Sequence, residues 1–318
     1  MSFKQIRGNI NSIEFLKQIF LNKREACVYL FYGPEGIGKK LIAHNLAKAV
    51  NCLKQEEFDS CDECISCRKI DAGCHLDVCY IVPDNSNTIG IAEIRVLKER
   101  VYLKSNEARK KVFIIDEAER MTVEAANACL KILEEPTPDC LIILISSKPQ
   151  LIISTILSRC YKIKFTGLEK NELKKILMVD FNLDEILAHY LAYFCEGRMG
   201  RAIQMSRQPD VLIQKNKIID DFFTSLTVYD NRDFKRDKLK EILEIILSWF
   251  RDIYIIKIGI SDDLINIDRK EQISKDARHY SLKTVEEIIN FICDAVSFLD
   301  RKVNPKLLFS NLKAKVKA

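Results

Sequence analysis

The spacing of apolar residues along this chain changes several times, and each change marks an element. In residues 1–26, Ile13, Leu16, Ile19 and Phe20 recur at helical spacing and predict a helical lead-in. The run CVYLFY (27–32) is apolar without interruption and ends at Gly33, the pattern of a strand buried on both faces where it enters a loop. KKLIAHNLAKAVNC (39–52) then returns to helical periodicity. VCYIVP (78–83) predicts a strand, and Ile91, Ile94, Leu97 and Val101 line one face of a helix over 91–104. KVFIID (111–116) is a buried strand running into acids. The next segment predicts a helix capped by Thr122 and stopped before Pro136. CLIILISS (140–147) and YKIKF (161–165) complete the strands. Strands alternating with helices argue for a parallel sheet covered on both faces.

Past Phe165 the pattern changes. Residues 168–206 break into short helical segments. From about Val211 onward LKEILEIILSWFRDIYIIKI, TVEEIINFICDAVSFLD and PKLLFSNLKAKV are all helical in period, with no strand pattern. No internal repeat or low-complexity tract interrupts them.

Composition adds bounds. A chain of 318 residues has length for two or three domains, and 47% apolar with 30% well-mixed charged residues describes a globular protein rather than a disordered one. The net charge of +5 permits nucleic-acid contact without demanding it. No stretch reaches the ~20 apolar residues of a membrane span. MSFKQIRGNINS lacks the apolar core of a signal peptide, so the expectation is a cytoplasmic protein. Twelve cysteines in a reducing compartment point to metal before disulfides.

Three motifs carry chemistry. In YGPEGIGKK, Gly33, Gly36 and Gly38 allow the backbone to wrap its N–H groups inward, and Lys39 adds a charge for phosphate. A bare glycine turn is the plain alternative. The strand before and the helix after favour a phosphate loop. Asp116, with Glu117 beside it, ends an apolar strand where such proteins hold magnesium and polarise water. Cys61, Cys64 and Cys67 follow a two-residue spacing, and Cys52 precedes them. Four thiolates suit tetrahedral zinc, while Asp71 breaks the fourth-cysteine position of an iron–sulfur run. Cys74, His75 and Cys79 are close enough to replace one ligand. Cys27, Cys129, Cys140, Cys195 and Cys293 fall on apolar faces and read as small core residues. Ser158-Arg159-Cys160 precedes the last strand, and by itself its arginine is an ordinary surface residue.

Together GPEGIGKK, the four-cysteine insert, IAEIRVLKERV, KVFIIDEAERMTVEAANACLKILEEP, STILSRC and NPKLLFSNL resemble the delta-prime family of bacterial DNA polymerase III clamp-loader subunits, which are AAA+ proteins. The resemblance implies an α/β AAA+ phosphate-loop domain over 1–166 with the zinc insert at about 52–67. A small helical lid over 167–208 and an all-α collar over 209–318 would follow. It implies a ring with tau/gamma motors and a delta subunit, which loads a sliding clamp onto primed DNA with ATP. It also turns Arg159 into an arginine finger for the neighbouring motor. Arg95, Lys98 and Arg100 become candidates for facing DNA phosphates, although a solvated helix face explains them equally.

Two departures decide between a stator and a tau/gamma-like motor that hydrolyses ATP itself. The motif places Ser or Thr where this chain has Lys40, which removes a magnesium ligand and sets a second ammonium beside Lys39. Gly200 stands where a motor's ATP-sensing arginine falls, with Arg201 one position off. The expectation is therefore a stator: ATP or ADP binding is allowed, and hydrolysis by this chain is not expected.

Overall fold

The computed structural model describes residues 2–22, 27–224, 236–260, 263–299 and 305–317. Residues 23–26 of the expected lead-in and Asn304 of the closing motif lie outside them. The chain forms two compact units, Met1–Leu168 with Arg198–Arg201, and Glu169–Gly197 with Ala202–Ala318.

The first unit is built on strands β1 (Val28–Tyr32), β2 (Val78–Ile81), β3 (Lys111–Ile115), β4 (Cys140–Ser146) and β5 (Tyr161–Lys164). All pair in parallel, in the order β2-β3-β4-β1-β5. Successive side chains on a strand point to opposite faces, and both faces are packed. Tyr29, Phe31, Val112, Ile114 and Ile143 share one core with Ile42 and Leu46 of α2 (Lys39–Asn51) and Leu16 of α1 (Ile10–Leu21). Leu30, Phe113, Ile115, Ile142 and Leu144 meet the other core. Its helical side comes from Ile94 and Leu97 of α4 (Ile91–Tyr102) and Cys129 and Ile132 of α5 (Val123–Glu134). Burial on both faces is why β1, β3 and β4 read as apolar runs rather than alternations, whereas the edge strand β5 buries only Ile163.

Local signals set the ends. The Thr122 hydroxyl accepts a hydrogen bond from the Ala125 N–H at 3.2 Å and starts α5. Lys111, buried at the head of β3, donates from Nζ to the carbonyls of Arg100, Val101 and Leu103 and closes α4. Two short helices lack an apolar period and are missed by pattern alone. These are α3 (Ile65–Asp71) in the cysteine insert and the single turn α6 (Ser154–Leu157).

The second unit is helical throughout: α7 (Lys170–Asp180), α8 (Glu185–Phe194), the remainder of α9 (Met199–Ser206), α10 (Val211–Thr224), α11 (Arg236–Lys257), α12 (Lys270–His279), α13 (Leu282–Leu299) and α14 (Pro305–Lys317). α11 packs on α12 and α13, and α13 on α14. Buried Asp252 accepts from the backbone N–H groups of Ile265 and Asn266 and so satisfies the loop that follows α11. Cys129, Cys140 and Cys195 are buried as expected, and Cys27 is half-buried. Cys293 is exposed, contrary to expectation. The buried stripe of α13 runs through Val285, Ile288, Ile292 and Ala295, and Cys293 lies one position, about 100° around the helix, off that stripe. Among the described residues no helix is long and apolar enough to cross a membrane.

Candidate functional site

The glycine loop joins β1 to α2 at the C-terminal edge of the sheet, the edge where parallel α/β folds bind ligands. Gly33 sits at φ 147°, where a Cβ would stand 2.2 Å from the Phe165 carbonyl oxygen, so only glycine fits. Gly36, Gly38, Lys39, Lys40, Asp116 and Glu117 line one cavity of about 420 Å³, together with Ser146, Ser147 and Gly200. The sequence motifs thus converge in space.

The two lysines point to different partners. Lys39 folds back and donates from Nζ to the carbonyls of Gly33 and Pro34, both at 2.6 Å. Burial pushes its pKa down, against the fields of Glu119, Asp116 and Glu35. Lys40 turns the other way and pairs with Asp116 at 3.0 Å. The like-charge conflict expected from adjacent lysines is relieved by these separate partners. Glu117, in a left-handed conformation, pairs with Arg120 at 2.5 Å.

Glu119 and the main-chain contact made by Gly200 were not foreseen. Glu119 accepts from the Ser147 N–H at 3.0 Å, the Ser147 hydroxyl at 2.8 Å and the Lys148 N–H at 3.2 Å, tying β3's end to β4's. Burial opposes the Glu119 charge, but these donors hold its carboxyl below the usual range. The Gly200 N–H donates to the Gly36 carbonyl at 2.7 Å. A Cβ at Gly200 would lie 2.8 Å from that oxygen, so a glycine at this position is what allows the backbone to sit on the loop. Glu119 was within reach of sequence reading, two positions past Glu117. The Gly200 contact was not, since it is made by main chain.

The four sulfur atoms of Cys52, Cys61, Cys64 and Cys67 lie within 4.8 Å of one another. Four Zn–S bonds in a tetrahedron would space the sulfurs about 3.8 Å apart, so this donor set fits a metal ion. Backbone N–H groups of Cys61, Cys64 and Cys67 point at the sulfurs of Cys52, Cys61 and Cys64, at 3.3, 3.3 and 3.5 Å. Such donors favour thiolates. Burial alone would raise the Cys64 thiol, yet the N–H groups of Cys67 and Leu53 bring it down to about 6. Cys74, His75 and Cys79 do not belong to the cluster.

The insert is fastened to α2 by a buried cation. Lys48, with no exposed side-chain surface, pairs with Asp62 at 2.5 Å and Asp71 at 2.8 Å. His44 adds a contact to Asp71 at 2.7 Å and another to the Tyr80 hydroxyl at 2.5 Å.

Arg159 is not in the loop cavity. It follows α6, with Nη1 donating to the Thr155 carbonyl and Nη2 to Glu134, each at 2.7 Å. Arg95, Lys98 and Arg100 are exposed on α4, and Arg100 also points at the Cys79 sulfur at 3.8 Å.

A parallel sheet of this order, a glycine loop after β1 and an acid at the tip of β3 define a phosphate-loop protein of the AAA+ type. The family described as DNA polymerase III, delta subunit, matches residues 8–169, and the corresponding C-terminal family matches 223–313. The chain is 30% identical over 295 residues to DNA polymerase III subunit delta' of Bacillus subtilis, covering 89% of this chain and 88% of that one. It is 37% identical over 211 residues to DNA polymerase III subunit tau of the same organism, covering 65% of this chain and 37% of the relative. With subunit delta' of Pseudomonas aeruginosa it shares 38% over 138 residues, 43% of this chain and 42% of the other. The chain belongs to the delta-prime family of DNA polymerase III clamp-loader subunits, proteins of DNA replication.

Proposed function

We propose that this chain is the stator of the clamp loader, standing in a ring with tau/gamma motors and a delta subunit. It contributes to catalysis by lending Arg159 to the neighbouring motor. The observation that carries the reading is the Lys40–Asp116 ion pair. In a motor that carboxylate serves magnesium. Here a protein cation takes it, and the hydroxyl that would share the metal is missing. This also accounts for Asp116 being retained in a chain that does not hydrolyse ATP: it is the counter-ion of Lys40.

The loop keeps a shape suited to holding ATP or ADP without turnover. Arg159, exposed beside the Ser-Arg-Cys turn, would stabilise charge developing on the transferred phosphoryl group, a contribution of ~10³–10⁵ in rate for such fingers. The four thiolates would hold one structural zinc with no position open to substrate. The sliding clamp and primed DNA are engaged through the assembled ring, in the cytoplasm. Arg95, Lys98 and Arg100, exposed on α4, would meet backbone phosphates. In this reading residues 167–208 form the lid and 209–318 the collar. A tau/gamma-like motor role would need Asp116 free for metal, and the Lys40 contact weighs against it.

The test is reconstitution of the loader from purified subunits. With Arg159→Ala, ATPase stimulated by clamp and DNA should fall by at least a hundredfold at the affected site. Wild-type turnover in that variant removes the finger assignment. Steady magnesium-dependent hydrolysis by this chain alone, lost on Lys39→Ala, would establish the motor role instead.

A further inference from the structure

We infer that Glu134 is a positioning residue for Arg159, a carboxylate that holds the guanidinium back until a neighbour's phosphate replaces it. The inference rests on the finger role proposed above. Glu134 is the last residue of α5, and an acid there faces the negative end of the helix dipole. A nearby cation offsets that unfavourable placement, and Arg159 does so at 2.7 Å. The other arm of the guanidinium donates to the Thr155 carbonyl, inside α6, and that bond moves with the Ser-Arg-Cys turn. The Glu134 contact is different. It comes from another helix, it is anionic, and it occupies Nη2, a donor a phosphate oxygen could also take. Carboxylate and phosphate therefore compete for the same donor.

The strength of the hold follows from exposure. The two side chains are 34% and 47% exposed. Exposed ion pairs are weak and salt-screened, so release slows engagement by at most about fivefold. This suits a contact that keeps a long side chain aimed while remaining easy to exchange.

Glu134→Gln removes the charge and keeps the shape. In the reconstituted loader this variant should turn over ATP about two- to fivefold faster than wild type at low salt. The difference should shrink as ionic strength rises. In the Arg159→Ala background the same substitution should do nothing, which a merely structural role of Glu134 would not produce. Nitrogen-15 NMR of arginine side chains in the isolated chain gives a reading independent of turnover: hindered rotation of the Arg159 guanidinium in wild type, freed in Glu134→Gln. Turnover at or below wild type, an effect that persists without Arg159, or an unchanged Arg159 signal each overturns the inference while leaving the finger role standing. Wild-type turnover in Arg159→Ala overturns both.

Discussion

Replacing Lys48 by methionine tests what binds the cysteine insert to the sheet. The side chain is fully buried and its ammonium faces Asp62 and Asp71, both from the insert. Methionine fills much of the same volume and removes the charge. Breaking a fully buried pair costs about 3–5 kcal/mol. Here the carboxylates are 25% and 40% exposed, so water can take part of the lost interaction. The acid side gives a second route to the magnitude. Burial would raise Asp62, yet Lys48 first, together with other donors including the Ser60 hydroxyl, brings it from 3.8 down to about 2. The whole displacement corresponds to about 2.4 kcal/mol, so the Lys48 share, with the carboxylate partly exposed, is about 1–2 kcal/mol. Discounted for exposure, the two routes put the loss at about 1–2 kcal/mol. Denaturant unfolding of the Lys48→Met protein should show this loss. Because Asp62 lies between Cys61 and Cys64, metal transfer to a chromophoric chelator should also quicken. A change below about 0.5 kcal/mol, with unaltered metal release, would refute the fastening role; most single changes with no such mechanism fall within that range.

Lys40→Thr restores the missing hydroxyl and frees Asp116, so nucleotide affinity in the isolated chain should become magnesium-dependent; titration with and without chelator checks this, and equal affinities would count against the reading of Asp116. Elemental analysis should find about one zinc per chain, and its removal should lower Tm; protein purified without metal at full stability would end the structural-zinc proposal. Asp77 is buried and accepts from the backbone N–H groups of Asn106, Glu107 and Ala108, at 2.8 to 3.0 Å. Burial pushes its carboxyl up, but those donors win and hold it below the usual range. A depressed folded pKa means stability that is present above the unfolded value of ~3.9 and lost as pH falls through the lower folded value. Asp77→Asn should therefore cost about 1–2 kcal/mol near neutrality and flatten the acid limb of the stability curve; an unchanged limb would assign that slope elsewhere.

The sheet was legible because strands buried on both faces leave continuous apolar runs, and its helices because Thr122, Pro136 and the Ile94–Leu97–Val101 stripe are local signals. Helix α3 was not legible, since its buried face carries Ser66, Cys67 and Ile70 and so lacks an apolar period. Lys48 reads as one more lysine on a mixed helix, because its burial depends on Asp62 and Asp71 arriving from a separate segment. The same holds at the loop. Lys40 was conspicuous in sequence, but its pairing with Asp116 needed β3 laid beside the loop, and the expected repulsion from Lys39 gave way once each ammonium had its own acceptor. The Ser-Arg-Cys turn marked Arg159, while Glu134 carries no mark of its own in a helix end rich in acids.

Lys39 on the Gly33 and Pro34 carbonyls, and Gly200 on Gly36, keep the loop in shape from the protein's side. Shape maintained this way does not rely on a ligand arriving. Position 40 is then free to vary without risk to folding, whereas Gly33 and Gly200 are not. A library of substitutions scored only for folded yield should therefore be permissive at 40 and strict at 33 and 200. On the proposed stator reading, such a pattern would make the loss of metal chemistry a short mutational walk: the ligand residue could drift while the backbone contacts hold the loop.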